Sequence, residues 1–395
     1  MSKTTPTSAT SPRHLVIVAV EPSGDEIGAA LHGALMARAR HLGISLTISG
    51  CGGPQLASAG MNSLFPIGPL SVMGFTDVAR AVPLARLYAR QLADHVARVR
   101  AHGVIFVDGW AFSRLAAPLM HQGDARPKLY KYVAPQIWAS RPQRIDFIKD
   151  WFDGVLTVLP FEKPLFDEKN IPVTYVGNPL FEKAVTAPID AQHFRARRGL
   201  GHKPILAVLP GSREGEVRRL LPIFRETVSA LRARAPDFCV VIPAAPAVAD
   251  FLREETVSWA YCHIVTPDEK YDALHAATVA LSASGTVTTE IALSGTPQII
   301  AYKVDPLTHL WAQRVITTPY ASILNVMADA PIIPEFIQDK CVPEPMAAAL
   351  FPLLTDAQKR ADQRAAVTPY LARLQLGGEP AASRAAHTVF DWLSG

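Results

Sequence analysis

The chain has 395 residues, 49% hydrophobic and 19% charged, and its 39 Lys and Arg against 35 Asp and Glu leave a formal net charge of +4. That length exceeds one ordinary core and predicts two domains, while no apolar run is long enough to span a bilayer. The basic residues are scattered, which argues against a nucleic-acid footprint, and Cys51, Cys239, Cys262 and Cys341 lack the spacing of a zinc site or a disulfide framework.

Residues 1–12 are rich in Ser, Thr and Pro with no signal-type apolar stretch, and read as a disordered lead-in to a cytoplasmic protein. Short β-branched runs then alternate with helical patterns, at 15–20, 45–49, 103–107, 131–133, 154–159 and 174–176 in the first half. The second half repeats the plan at 205–209, 239–242, 263–265, 279–282 and 298–302. Near-continuous apolar strands separated by helices predict parallel sheets covered on both faces. The expected fold is α/β: two doubly wound Rossmann-like domains, 13–183 and 184–364, facing a central cleft, with a helical tail at 365–395 that crosses back.

Chemistry-bearing residues gather where strands end. The first strand runs into Glu21-Pro22-Ser23-Gly24-Asp25, and the third ends in Asp108, which delivers a carboxylate to the cleft as a candidate base. Asp25 reads equally as a helix N-cap. In the second half, Leu209-Pro210-Gly211-Ser212-Arg213 and Ala283-Ser284-Gly285-Thr286 are strand-to-helix turns of the kind that bind phosphate. Gly211 and Gly285 let backbone approach a diphosphate, Ser212, Ser284 and Thr286 add hydroxyls, and Arg213 adds a permanent cationic fork. Glu290, four residues past Thr286, is placed to reach a ribose. Residues 83–100 form an amphipathic helix with Arg86, Arg90, Asp94 and Arg98 on one face and Leu84, Leu87, Tyr88, Leu92 and Val96 mostly on another. Such a helix either covers a core or docks on anionic lipid. Segment 307–311, with Trp311, is a weaker candidate for the same contact.

Taken in order, these segments resemble the lipid-A-disaccharide synthase family over nearly the whole chain. The resemblance also rests on Gly52-Gly53-Pro54 with Gly60-Met61, Leu70-Ser71-Val72-Met73-Gly74, Tyr132-Val133-Ala134-Pro135-Gln136-Ile137-Trp138-Ala139, Leu159-Pro160-Phe161-Glu162-Lys163 and Asn325. It implies a GT-B architecture and an inverting, metal-free, cofactor-free transfer that forms a β-1,6 link and releases UDP. The implied donor is a UDP-linked 2,3-diacylglucosamine held by the C-terminal half, with Glu290 and Asn325 among its nucleotide contacts. The implied acceptor is 2,3-diacylglucosamine 1-phosphate in the N-terminal half, with Asp108 or Glu21 as base. Peripheral attachment to the inner face of the inner membrane is implied as well, and the helical tail and apolar composition are consistent with a homodimer.

Four positions depart from the family pattern. Asp108-Gly109-Trp110-Ala111-Phe112-Ser113 keeps the first carboxylate of Asp-Ala/Ser-Pro-Asp-Phe-Asn but has Ala111 for the second and Ser113 for the Asn. Asn178 replaces a His, and Ser140 replaces a Trp. These changes leave two alternatives open: a related transferase with another lipid or sugar acceptor, and a silent UDP-sugar binder. A UDP-sugar epimerase of similar fold is a more remote one.

Overall fold

The computed structural model describes residues 12–70, 75–121, 126–305, 309–310, 314–374 and 377–394, and of 75–81 the backbone only. The expectations placed on residues 1–11, 71–74, 307–308 and 311 lie outside the described residues. The chain divides into two units, Met1–Pro179 with Gly377–Gly395, and Leu180–Leu376. The boundaries expected at 183/184 and 364/365 lie within the helices Pro179–Thr186 and Ala357–Ala372, whereas the units divide at 179/180 and 376/377.

The first unit is built on β1 (Arg13–Ala19), β2 (Leu46–Cys51), β3 (Gly103–Val107), β4 (Lys128–Tyr132), β5 (Gly154–Thr157) and β6 (Val173–Tyr175), all parallel in the order β2-β1-β3-β4-β5-β6. Val104, Ile105 and Val107 on β3 and Leu15 to Ile17 on β1 are fully buried, as strands covered on both faces require. The helices that matter for the site are α1 (Pro22–Leu42), α2 (Pro54–Ser58), α3 (Phe75–Arg98), α4 (Trp110–Ala116) and α5 (Arg144–Trp151).

In α3 the apolar stripe turns inward. Ala89, Leu92 and Val96 join the core, and Tyr88 stacks on Phe65 with ring centroids 4.3 Å apart. Leu87 departs from the expected apolar face and is 59% exposed, beside the exposed Arg86 and Arg90. Core coverage therefore accounts for most of this helix. The last helix, Ala381–Ser394, returns to the first unit, as the expected tail does. Trp392 lies over Gly154, where a Cβ would sit 2.7 Å from its ring, Leu393 lies over Gly103, and Arg384 Nε donates to the Val176 carbonyl at 2.7 Å.

The second unit contains β7 (Ile205–Leu209), β8 (Cys239–Pro243), β9 (Cys262–Val265), β10 (Val279–Ala283), β11 (Gln298–Tyr302) and β12 (Glu335–Ile337), parallel in the order β12-β11-β10-β7-β8-β9. Read from the other edge, this is the strand order of the dinucleotide-binding fold. The short edge strand β12 was not expected from sequence. No helix among the described residues is long and apolar enough to cross a membrane.

Candidate active site

Each sheet has one place where its strand order reverses, and there the loops leaving two neighbouring strands run to opposite faces and open a crevice. In the first unit this place lies between β1 and β3, which pair with Ala19 opposite Val107, so the loops beginning at Val20 and Asp108 emerge side by side. In the second unit it lies between β7 and β10, with Leu209 opposite Ser282, which brings the 210–213 and 284–286 turns together. Topology thus selects the loops that the sequence singled out.

In the first unit Asp108 and Gly109 both adopt left-handed backbone, φ 52° and 55°, a strained state for the aspartate. Several contacts hold it. The Asp108 N–H donates to the Tyr132 carbonyl at 2.9 Å, and Ser23 Oγ donates to Asp108 Oδ2 at 2.8 Å. Lys131, 1% exposed within β4, donates from Nζ to the carbonyls of Phe106 (3.3 Å) and Asp108. Burial pushes the Lys131 ammonium down to about 8, against the pull of Asp108 and then Glu21. Glu21 occupies the N-cap position of α1 in extended backbone without a side-chain cap bond, near enough to act on Lys131, so that Glu21, Ser23, Asp108 and Lys131 form one cluster. Gly24 is what lets α1 approach: a Cβ there would lie 2.8 Å from the Val107 carbonyl oxygen.

Asp25 is corrected by its surroundings. It is 2% exposed, Oδ1 accepts the N–H groups of Gly53 (2.8 Å) and Leu56 (3.1 Å), and Oδ2 accepts that of Gln55 (2.8 Å). It caps α2 rather than its own helix, and a carboxylate whose oxygens are taken by buried amides is not open to substrate. Of the departures, Ala111 is exposed, and Ser113 is buried with its hydroxyl donated to the Gly109 carbonyl at 3.0 Å, which fixes the first turn of α4. Asn178 is buried.

In the second unit Arg213 is exposed at the N-cap of the helix Glu214–Arg234. Gly211 has φ 124°, and the Glu216 side chain folds back so closely that a Cβ on Gly211 would meet Oε2 at 2.1 Å. Burial raises the Glu216 pKa, while Arg213 and the Ser212 amide pull it down. Glu216 therefore occupies part of the concavity expected for an anion, and a diphosphate must displace it. In the other turn Ser284 Oγ donates to the Ala321 carbonyl at 2.7 Å, whereas Gly285 (φ 148°) and Thr286 are exposed. Thr286 precedes the helix Val287–Leu293 without a side-chain cap bond. Glu290 is 5% exposed, and its Oε2 accepts Lys270 Nζ (2.6 Å) and the Tyr271 hydroxyl (2.9 Å).

Asn325 is likewise corrected. It is fully buried, Nδ2 donates to the Ile333 carbonyl and Glu335 Oε1, both at 2.8 Å, and Oδ1 accepts the Ile333 N–H at 2.9 Å. With both ends of its amide used it pins the 321–325 turn, to which Ser284 is bonded, and has nothing left for a nucleotide. Lys131, Glu216 and Glu335 were all missed in the sequence. Glu162, quoted in the resemblance but given no role there, is buried and accepts from Trp138 Nε1 (3.2 Å) and the Leu159 N–H (3.1 Å), and burial pushes it up to about 7.

Comparison with known proteins bears on this geometry. Residues 15–389 match the family model described as lipid-A-disaccharide synthetase. The lipid-A-disaccharide synthase of Paramagnetospirillum magneticum is 37% identical over 384 residues, covering 96% of this chain and 97% of that protein. Among solved structures, the kitacinnamycin glycotransferase aligns with a TM-score of 0.63 at 16% identity, covering 97% of this chain and all of that one (100%). The UDP-GlcNAc 2-epimerase of Methanocaldococcus jannaschii, in complex with UDP-GlcNAc and UDP, aligns with a TM-score of 0.61 at 11% identity, covering 96% and 99%. At such identities the structural likeness speaks for the fold alone.

Proposed function

The chain belongs to the lipid-A-disaccharide synthetase family and is a glycosyltransferase of lipid A biosynthesis; from that premise we propose how its residues divide the reaction. The donor is a UDP-linked 2,3-diacylglucosamine and the acceptor 2,3-diacylglucosamine 1-phosphate, joined through a β-1,6 link. Asp108 takes the proton of the acceptor 6-hydroxyl, the freed oxygen attacks the donor anomeric carbon, and the bond from that carbon to the diphosphate breaks with inversion. Negative charge gathers on the departing UDP, where Arg213 and the amides of the 210–213 and 284–286 turns meet it. Glu21 keeps the Asp108 loop electrostatically balanced over Lys131, and Glu290, held by Lys270 and Tyr271, contacts the ribose. The chain's own side chains suffice for this chemistry, with UDP-sugar as substrate and no separate cofactor.

The observation that carries the reading is Asp108 at the reversal point of the first sheet, its carboxylate held by the Ser23 hydroxyl and its backbone carbonyl by Lys131. The test is UDP release in detergent, with and without acceptor. Release must depend on acceptor and fall by roughly 10²–10⁴-fold in Asp108→Asn. Undiminished acceptor-dependent release by that variant refutes Asp108 as base. A second reading, another lipid or sugar acceptor, is favoured by the exposed Ala111 where the family pattern has a carboxylate. UDP release only with that other acceptor selects it. Work on acylated substrates belongs at the inner face of the inner membrane, where the protein attaches peripherally through exposed Leu87, Arg86 and Arg90 of α3.

A further inference from the structure

Two half-buried or exposed arginines of the first unit lean on a continuous aromatic stack. Arg144, at the start of α5, lies over Trp110, its guanidinium carbon 5.8 Å from the ring centroid. Trp110 meets Phe147 edge to face at 5.5 Å, and Arg114 lies over the other aromatic ring, that of Phe147, at 5.8 Å. Arg141 is close enough to act on Arg144 electrostatically. Burial, then Arg141, then Arg114 all disfavour the charged Arg144.

Of the other arginines over aromatic rings, Arg13 gives its N–H groups to the Ser394 hydroxyl, Arg232 gives its own to backbone carbonyls, and Arg218 has a carboxylate, that of Glu214. Among the described residues Arg114 and Arg144 have none within ion-pair distance, and Arg144 Nε is buried without a hydrogen-bond partner. Like charges gathered on one aromatic surface repel one another, and a bound anion relieves that repulsion. Guanidinium groups beside aromatic rings are also suited to a tetrahedral oxyanion.

We propose that Arg114 and Arg144 bind the phosphate monoester of the acceptor. The placement agrees with the chemistry. Trp110 follows Asp108 by two residues, at most about 7 Å of chain, and both lie at the carboxyl end of β3. The reacting 6-hydroxyl and the 1-phosphate flank one sugar ring, so base and phosphate site must stand one ring apart. This assignment rests on the acceptor of the proposed function, and its test separates the two.

UDP release is measured with 2,3-diacylglucosamine 1-phosphate and with the same lipid lacking the phosphate, for the wild type, Arg114→Gln, Arg144→Gln and Arg144→Lys. The wild type favours the phosphorylated acceptor by roughly 10- to 100-fold in kcat/KM, as loss of a charged hydrogen-bond partner implies. In Arg144→Gln the KM for the phosphorylated acceptor rises by that factor, kcat stays within about threefold, the dephosphorylated acceptor is used as before, and Arg144→Lys recovers part of the preference. Equal losses on both acceptors, or a preference retained by Arg144→Gln, overturn the proposal.

If the wild type releases no UDP with either lipid, the functional reading fails, and thermal shift with soluble glucosamine 1-phosphate decides the site by itself. Stabilisation of the wild type and of Arg213→Ala, absent in Arg144→Gln, upholds it. No shift in the wild type, or an equal shift in Arg144→Gln, overturns it. An anionic phospholipid headgroup offers the same chemistry, so flotation with phosphatidylglycerol vesicles is the last arm. Equal flotation of wild type and Arg144→Gln supports the acceptor, whereas lost flotation with acceptor preference intact assigns the arginines to the membrane and overturns the proposal.

Discussion

Asp25 separates a positioning role from a catalytic one, because its two oxygens accept three backbone N–H groups at 2.8, 2.8 and 3.1 Å. These are the donors that the five-residue helix α2 and the Gly53 before it leave over. Asp25→Ala strands all three in a site where the wild-type side chain is 2% exposed. At about 1–3 kcal/mol for each buried unsatisfied donor, and with losses in one network less than additive, the substitution costs about 3–6 kcal/mol. Asp25→Asn keeps Oδ1 for Gly53 and Leu56 but turns an NH₂ toward the Gln55 N–H, which loses one bond and costs about 2–3 kcal/mol. The assay is urea denaturation beside UDP release per folded molecule. The expected result is a lowered midpoint in both variants, larger for Ala, with kcat of folded Asp25→Asn within about tenfold of wild type. A fall of 10³ or more in kcat with the midpoint unmoved refutes the argument and returns Asp25 to the chemistry.

The other predictions concern the same unit. Lys131 has a pKa lowered from 10.5 to about 8, so its charge penalises the fold in full below pH 8 and the penalty fades as pH rises toward 10.5. Relative to Lys131→Met, the wild type should therefore gain up to roughly 3 kcal/mol between pH 7 and 10.5, and a pH-independent difference contradicts this. Glu162 runs the other way: raised from 4.5 to about 7, it binds a proton more readily in the folded state, so stability falls as pH rises from 4.5 through 7. Glu162→Gln should flatten that part of the melting-temperature profile, and an unchanged profile counts against the assignment. Gly24→Ala gains up to about 1 kcal/mol in an open helix, yet here the added carbon lies 2.8 Å from a backbone oxygen of Val107 that cannot turn aside. Chemical denaturation should show a net loss of about 1–3 kcal/mol, and a more stable Gly24→Ala would show that α1 can move off β3.

The two sheets were legible because parallel strands buried on both faces must be apolar almost throughout, and Gly103–Val107, Ile205–Leu209 and Gln298–Tyr302 begin and end where their apolar runs do. The strand β12 escaped because three half-buried residues beginning with Glu335 carry no such run. Asp108 was readable as the charge that closes a buried strand. Lys131 left a comparable trace, a lysine within Lys-Leu-Tyr-Lys-Tyr, where both faces are covered and only a bonded ammonium is tolerated. Glu216 also left one, as a Glu at the third helical position after Arg213, a spacing that folds a carboxylate back on its own loop. What no local pattern reveals is whether a polar side chain is already spoken for. Asp25 meets Gly53, Gln55 and Leu56 across 28 to 31 residues, Glu290 meets Lys270 across 20, and Asn325 meets Ile333 across 8. Those distances along the chain are set by the fold and not by the motif.

The return of the helix Ala381–Ser394 to the first unit gives synthesis an order that differs from chain order. Residues 1–179 leave the ribosome first, but the strand starts at Gly103 and Gly154 keep their uncovered hollows until Leu393 and Trp392 have been made. The second unit, 180–376, is continuous and has every residue of its core before that moment. The later half of the molecule is thus free to fold while the earlier half waits for the residues from 377 onward, exposing apolar surface to whatever holds nascent chains in the meantime.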